Sequence, residues 1–505
     1  MVDREKKLSE GLPEPPEEIK LAPARVPFDW KRVFFILLGL GIFSLIYFMP
    51  SWKDAVDPTG KAFPLSQQGK GAIALFLLAG IWWVFEVIPI GVTAIAIGVF
   101  QALFAIRPAK EAFKDFMDPS VMFIFGSVVI GLAFTKSGLT RRIAYRMLSF
   151  VGEKTGMILL GSLILVALLA HVMAHTAAAA TVYPILLAIC ALYGEGDKKT
   201  KFGAALFIGM AYAAGAGSIV TFLGAARGPA AAGMFKEFTG REIGFFELSK
   251  YLFIVGWVMV FIIWGYLMLF LMPEKKEISG LREKVRRLSS ELGPMTWQEK
   301  FVVVAVLSVI AIMSLQSFVP ALKPLDRAAI MLISTLVFFI FKVLTVRELE
   351  DIPWNIILLF SGAMSIGFCL WQTGAAQWIA VNWLAMFQNA PWVVFVLGIA
   401  FFVLIMTNFI MNVAAIAIAL PVSLVVAQYL GVAPDVIFYA ALVTAGMPFL
   451  LLIGAAPNAI AYGSNQFTTG EFFKHGVPMS IILMMVLGIS LFTIWPLLGM
   501  PITLK

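Results

Sequence analysis

Charge is scarce in this sequence. Asp, Glu, Lys and Arg supply 13% of its 505 residues, where a soluble domain carries roughly a quarter. That shortage excludes an ordinary soluble globular domain. With 60% hydrophobic residues and a mean hydropathy of +0.92, the chain reads as a polytopic membrane protein. Cysteine is scarcer still: Cys190 and Cys369 both lie in apolar segments, which excludes a disulfide framework. Histidine occurs three times. His171 and His175 have the i, i+4 spacing of two zinc ligands, but Val172 stands where a metalloprotease needs its general-base Glu, and only His475 remains. An intramembrane hydrolase is therefore set aside, no enzyme activity is expected, and any metal stays unassigned. The net charge of +8 comes from Lys and Arg in short loops between apolar runs, where they set orientation rather than bind nucleic acid.

What the chain does have is a repeat. A shift of 236 places Gly126 on Gly362, Gly131 on Gly367, Gly138 on Gly374 and Ile143-Ala144 on Ile379-Ala380, relating 119–184 to 353–421. One more residue of offset places His175-Thr176 on Asn412-Val413. In each copy an alanine-rich run then leads to a proline, Pro184 or Pro421, nine residues after the His or Asn. Duplicated hydrophobic halves interrupted by small residues point to a secondary transporter whose substrate sits between the repeats.

Residues 1–29 are polar, Pro-rich and mixed in charge, and read as a cytoplasmic tail. About 11 candidate spans follow, near 30–50, 68–89, 91–106, 120–138, 202–226, 250–272, 300–320, 327–343, 353–372, 435–463 and 476–498. Two alanine-rich stretches, 156–193 and 391–429, are too long for one span and broken in the middle, so both are expected as re-entrant hairpins. The halves are 30–298, ending in a cytoplasmic linker at 273–298, and 299–505. The basic segments 139–155, 196–201 (Lys198, Lys199, Lys201) and 273–300 fall on the cytoplasmic side if the tail does. The expected protein is all-α, in an inner membrane with a cytoplasmic N-terminus. An odd number of crossings separates the copies, so the repeats are expected to be inverted with hairpin tips meeting near the midplane.

Three elements carry a family resemblance. The run Ile81-Trp82-Trp83-Val84-Phe85-Glu86-Val87-Ile88-Pro89-Ile90-Gly91-Val92-Thr93-Ala94, the element Gly138-Leu139-Thr140-Arg141-Arg142-Ile143-Ala144, and Ala456-Pro457-Asn458-Ala459-Ile460-Ala461-Tyr462-Gly463-Ser464 resemble the divalent anion/sodium symporter family from about Trp30 onward. The resemblance implies a homodimer in membrane lipid, with a scaffold holding a transport domain that slides as an elevator. It implies dicarboxylate, tricarboxylate or sulfate as cargo, usually with Na⁺, and no other cofactor.

The chain departs from that family at its site. The family carries Ser-Asn-Thr at each hairpin tip; here the triplets are Ala174-His175-Thr176 and Met411-Asn412-Val413, so three of four hydroxyls are gone. The unwound stretches, usually Gly-Thr-Pro-Pro-Asn, read Gly224-Ala225-Ala226-Arg227-Gly228 and Gly454-Ala455-Ala456-Pro457-Asn458. Opposed helix ends still expose N–H groups that suit an anion. His175, Thr176 and Asn412 are the first candidates for substrate contact, Thr221 and Asn458 the second. Backbone at Ala174, Met411, Val413, Gly224, Gly454 and Ala455 would complete the site, with Arg227 and His175 balancing charge. Each has a blander reading: His175 as a hydrogen-bonded helix residue, Arg227 as the solvated end of a 25-residue apolar run, Glu86 as a scaffold ion pair.

A tethered cation cannot leave the protein with the substrate. The pattern of losses therefore favours Na⁺-independent anion exchange, with Na⁺-coupled dicarboxylate or sulfate symport as the alternative and an anion channel as the rival from another class.

Overall fold

The computed structural model describes residues 29–50, 52–56, 61–85, 87–194, 199–316, 318–387, 391–409 and 411–504. The tail to residue 28, Glu86 and Lys198 lie outside the described residues. Hydrocarbon offers backbone groups no partner, so apolar segments must close their hydrogen bonds internally as helices. The first half contains α1 (Trp30–Phe48), a short antiparallel pair β1 (Ala55–Val56) and β2 (Ala62–Phe63), α2 (Gln67–Val84), α3 (Ile90–Leu103) and α4 (Ala109–Lys114). It continues through α5 (Pro119–Ser137), α6 (Leu139–Val151), α7 (Thr155–Val172), α8 (His175–Tyr193), α9 (Lys201–Ser218), α10 (Arg227–Thr239) and α11 (Phe245–Phe270). The amphipathic α12 (Leu281–Glu291) links it to the second half, which begins with α13 (Trp297–Leu315), α14 (Arg327–Ile340) and α15 (Val346–Glu350). Then come α16 (Trp354–Gln372), α17 (Ala375–Phe387), α18 (Trp392–Phe409), α19 (Asn412–Tyr429), α20 (Pro434–Ala445), α21 (Ala456–Tyr462), α22 (Thr469–Ile489) and α23 (Trp495–Leu497).

Among the described residues, 10 helical segments are long and apolar enough to cross a membrane, four of them the limbs of the two hairpins. The expected spans at 202–226 and 435–463 are each broken. In the first, α9 stops at Ser218 and α10 starts at Arg227; in the second, α20 stops at Ala445 and α21 starts at Ala456. The hairpins fall where the alanine-rich stretches place them, α7 with α8 and α18 with α19.

The two hairpins open at opposite ends of α11, whose 26 residues span about 39 Å at 1.5 Å each. At the C-terminal end of α11, Thr155 N donates to Lys276 O at 2.9 Å and Tyr193 Oη donates to Glu274 at 2.8 Å. These contacts hold the mouth of the first hairpin. At the N-terminal end, Arg241 pairs with Asp435, and Gly431 O accepts from Leu504 N at 2.7 Å, next to the mouth of the second. The repeats are thus inverted.

Equivalent glycines lock the halves together. Gly362 of α16 faces α3, where an added Cβ would lie 2.4 Å from the Cβ of Ala94; Gly126 of α5 faces α14, where it would lie 2.9 Å from the Cβ of Met331. Ala94 and Met331 are themselves related by the shift of 237 that pairs the hairpin tips. Each half therefore lends a helix to the other at the same place, and only glycine permits the approach. Gly138 (φ 82°) and Gly374 (φ 75°) turn the chain from α5 into α6 and from α16 into α17, in the left-handed region that glycine enters without strain.

Candidate functional site

Several helices begin on capping side chains: Asp29, Ser66, Asp118, Thr200, Thr296, Asp326 and Thr468 each accept from a first-turn N–H. The two hairpin tips do not. Ala174 precedes α8 and Met411 precedes α19, and neither has a side-chain acceptor. Losing a cap costs about 1 kcal/mol, and an uncapped start leaves positive N–H groups free for an anion. His175 N is the exception, donating to Gly224 O at 2.9 Å and so tying the first tip to its unwound segment. That approach needs glycine. A Cβ at Gly224 would meet Ala170 O at 2.4 Å, and one at Gly454 would meet Thr407 O at 2.9 Å, positions matched by the repeat.

Both tips reach one cavity of about 230 Å³. Of the candidates, Ala174, His175, Thr176, Met411, Asn412, Gly454 and Ala455 line it. Asn412 is only 8% exposed, and its side chain has no hydrogen-bond partner among the described residues; His175 Nδ1 is buried and equally unpartnered. The other candidates stand behind the wall. Thr221 Oγ1 donates to His171 O at 2.6 Å, and Asn458 Nδ2 donates to Pro448 O and Leu451 O at 2.8 and 3.0 Å. Both brace the unwound segments and do not face the cavity. Gly224 contributes its carbonyl to His175, and Val413 is wholly buried.

Arg227 is not a solvated helix end. It is 1% exposed, and Nη2 donates to Ser218 Oγ at 2.7 Å while Nη1 is buried without a partner. Among the described residues it has no carboxylate in ion-pair range. Its guanidinium lies against Gly446, where a Cβ would come within 2.7 Å of Nη2, so it sits between the starts of the two unwound segments. His171 and His175 lie on opposite sides of the break between α7 and α8, so they do not share a helix face. No cluster of three metal-ligating side chains occurs among the described residues.

Sequence reasoning missed the rest of the wall. Ile124, Val128 and Leu132 of α5, with Ile356 and Phe360 of α16, close the cavity; their only sequence signal was membership of the repeated first helix. It also missed the neighbouring spaces. Thr135, Ala177 and Ala180 line both this cavity and a vestibule of about 620 Å³ bounded by α6, α8 and the Leu281, Val285 and Leu288 face of α12. On the other side Phe222 lines both the cavity and a space of about 410 Å³ beside Asp118, Lys236 and Arg327. Its ring lies 6.1 Å from those of Phe123 and Phe245.

The sequence is similar to known transporters along most of its length. A family model described as the sodium:sulfate symporter transmembrane region matches residues 36–501. A relative from Staphylococcus saprophyticus, named sodium-dependent dicarboxylate transporter SdcS, is 26% identical over 465 residues, covering 87% of this chain and 89% of the relative. The protein of the same name from Staphylococcus aureus strain MRSA252 is 24% identical, with 95% of each chain covered. Among solved structures, Neisseria gonorrhoeae MtrF, described within a class of antimetabolite efflux pumps, superposes with a TM-score of 0.57 at 15% identity, covering 94% of this chain and 96% of its own. The Alcanivorax borkumensis YdaH transporter gives 0.54 at 14% identity, covering 94% and 99%. At such identities these two structures speak for the fold alone.

Proposed function

Since the chain belongs to the sodium:sulfate symporter family of membrane transporters and is not an enzyme, we propose that it carries small dicarboxylates through the cavity between its hairpin tips. The observation that carries this reading is the meeting of two uncapped helix starts, from inverted repeats, around one cavity lined by Asn412 and by His175, whose Nδ1 is buried without a partner. One carboxylate at each tip would meet N–H groups and a polar side chain. Transport is by alternating access, with the hairpins and unwound segments moving as one body in a homodimer. The vestibule of the present state opens on the face with the basic loops, which the positive-inside rule assigns to the cytoplasm.

Sodium coupling, the alternative in the sequence reading, is the better supported of the two, because the relatives are named sodium-dependent. The second half keeps the more family-like unwound segment, with Pro457-Asn458 in place. Its backbone carbonyls, freed between Ala445 and Ala456, are the kind of ligand that holds Na⁺ in such transporters. Sodium-independent exchange remains a second reading on one specific observation, the buried guanidinium of Arg227 without a carboxylate partner.

The site is tested by His175→Ala and Asn412→Ala. Each should weaken dicarboxylate binding about ten- to a hundredfold, the equivalent of roughly 1.5–3 kcal/mol for a hydrogen bond to a charged group. Thermal stability should stay near wild type. Unchanged affinity in both folded variants would remove the proposed site.

A further inference from the structure

The proposed site has a chemical asymmetry that narrows its substrate, given the reading above. The polar side chains His175, Thr176 and Asn412 that line it all stand at the hairpin tips, and His175 Nδ1 is buried without a partner. The wall that α5 and α16 supply is mostly hydrocarbon, with Val128 and Leu132 of α5 and Phe360 of α16 among its side chains. The two hydroxyls on that wall have given up their protons, Ser127 Oγ donating to Leu223 O at 3.0 Å and Thr135 Oγ1 to Gly131 O at 3.1 Å, so neither offers a ligand oxygen a donor. No Lys, Arg, Asp or Glu lines the cavity among the described residues.

A dianion between the tips would therefore have its carboxylates on donors and its middle on hydrocarbon. We propose that the site selects dicarboxylates whose spacer is plain or alkyl-substituted hydrocarbon, and discriminates against hydroxyl groups on the spacer and against tetrahedral oxyanions. A spacer hydroxyl loses its water on entry and finds no partner on Val128, Leu132 or Phe360. Sulfate presents oxygens in every direction, so some must face the same wall. The hydroxyls absent at Ala174 and Met411, which line the cavity, are groups that would have served such oxygens.

The test is a ligand series on the full-length protein, by displacement of labelled succinate in detergent: 2,2-dimethylsuccinate, malate and sulfate. Succinate and its dimethyl derivative should bind roughly ten- to a hundredfold more tightly than malate, the range over which an apolar pocket rejects an added hydroxyl. Sulfate should not displace at concentrations where succinate saturates. Val128→Thr, which puts a hydroxyl on the wall at almost constant shape, should bring the succinate and malate affinities closer together. Malate or sulfate binding as tightly as succinate would overturn the selectivity and leave the proposed function standing, whereas failure of every dicarboxylate to bind would overturn that function itself. The wild-type series decides the question even if the variant does not fold.

Discussion

Arg227 reaches back across its unwound segment to Ser218, Nη2 to Oγ at 2.7 Å. In the other half Asn458 reaches back to Pro448 O at 2.8 Å. A shift of 230 carries Ser218 onto Pro448, and Arg227 onto Pro457, the neighbour of Asn458. The two braces occupy the same place, but one is a neutral amide and the other a cation in a membrane interior. Leaving a buried charge without a carboxylate costs several kcal/mol, so a charge retained there calls for more than bracing.

Arg227 is expected to supply a fixed positive charge in the first half, leaving Na⁺ coupling to the second. Uptake into proteoliposomes should then rise with Na⁺ without sigmoidicity. Arg227→Gln, which can still bond Ser218, should bind the dianion less tightly while remaining folded. Wild-type uptake that ignores replacement of Na⁺ by K⁺ and requires anion on the opposite side would instead establish exchange. An Arg227→Gln variant indistinguishable from wild type in affinity and coupling would reduce the residue to a brace.

Gly362→Ala should destabilise the protein, by about 1–3 kcal/mol for overpacking in a close contact, because the new methyl meets Ala94 Cβ at 2.4 Å and Cα at 2.6 Å. Gly398→Ala is the control. Nothing lies within 4 Å of that Cβ, so the gain in helix propensity, about 0.5–1 kcal/mol, should hold or raise stability. Thermal unfolding in one detergent compares them. A Gly362→Ala protein as stable as the control would mean that the crossing of α3 and α16 is looser than described.

Much of this was legible in the sequence because a duplication leaves two copies of every constraint. A shift of 236 aligns Gly126 with Gly362, and one residue more, 237, aligns Ala94 with Met331, the residues they pack against. The hairpin breaks were visible because alanine runs too long for a single span flank Ala174 and Met411. What stayed hidden depends on direction. Thr221 and Asn458 are polar residues in the right segments, and nothing in their spacing told that their side chains turn to backbone carbonyls behind the cavity. Arg227 follows an apolar run just long enough to span, so length alone suggested a helix end in water; the break after Ser218 folds it inward. The hydrocarbon wall of Val128, Leu132 and Phe360 looked like any lipid-facing or packing surface until the helices were assembled.

Cysteine labelling should place the two hairpin mouths on opposite sides of the membrane. Lys199 and Gln428 are both exposed near those mouths. In a background without Cys190 and Cys369, Lys199→Cys should react only with a permeant reagent and Gln428→Cys also with an impermeant one. Reaction of both from one side would remove the inverted arrangement, and reversal of the two would turn the whole topology over.

Phe222 is expected to be the barrier that keeps this protein a transporter rather than a pore. Among the described residues it alone borders both the substrate cavity and the space on the far side, while Thr135, Ala177 and Ala180 border both that cavity and the vestibule on the basic face. Removing the ring would open the cavity toward that outer space. Phe222→Ala should therefore show dicarboxylate flux down its own gradient without Na⁺ and without anion on the opposite side, together with a measurable anion current in planar bilayers. Phe222→Leu, which keeps most of the bulk, should remain coupled. The binding residues are untouched in both, so succinate affinity should stay within a few-fold of wild type, separating a breached barrier from a damaged site. A folded Phe222→Ala protein that stays tightly coupled and silent in bilayers would show that the seal lies elsewhere.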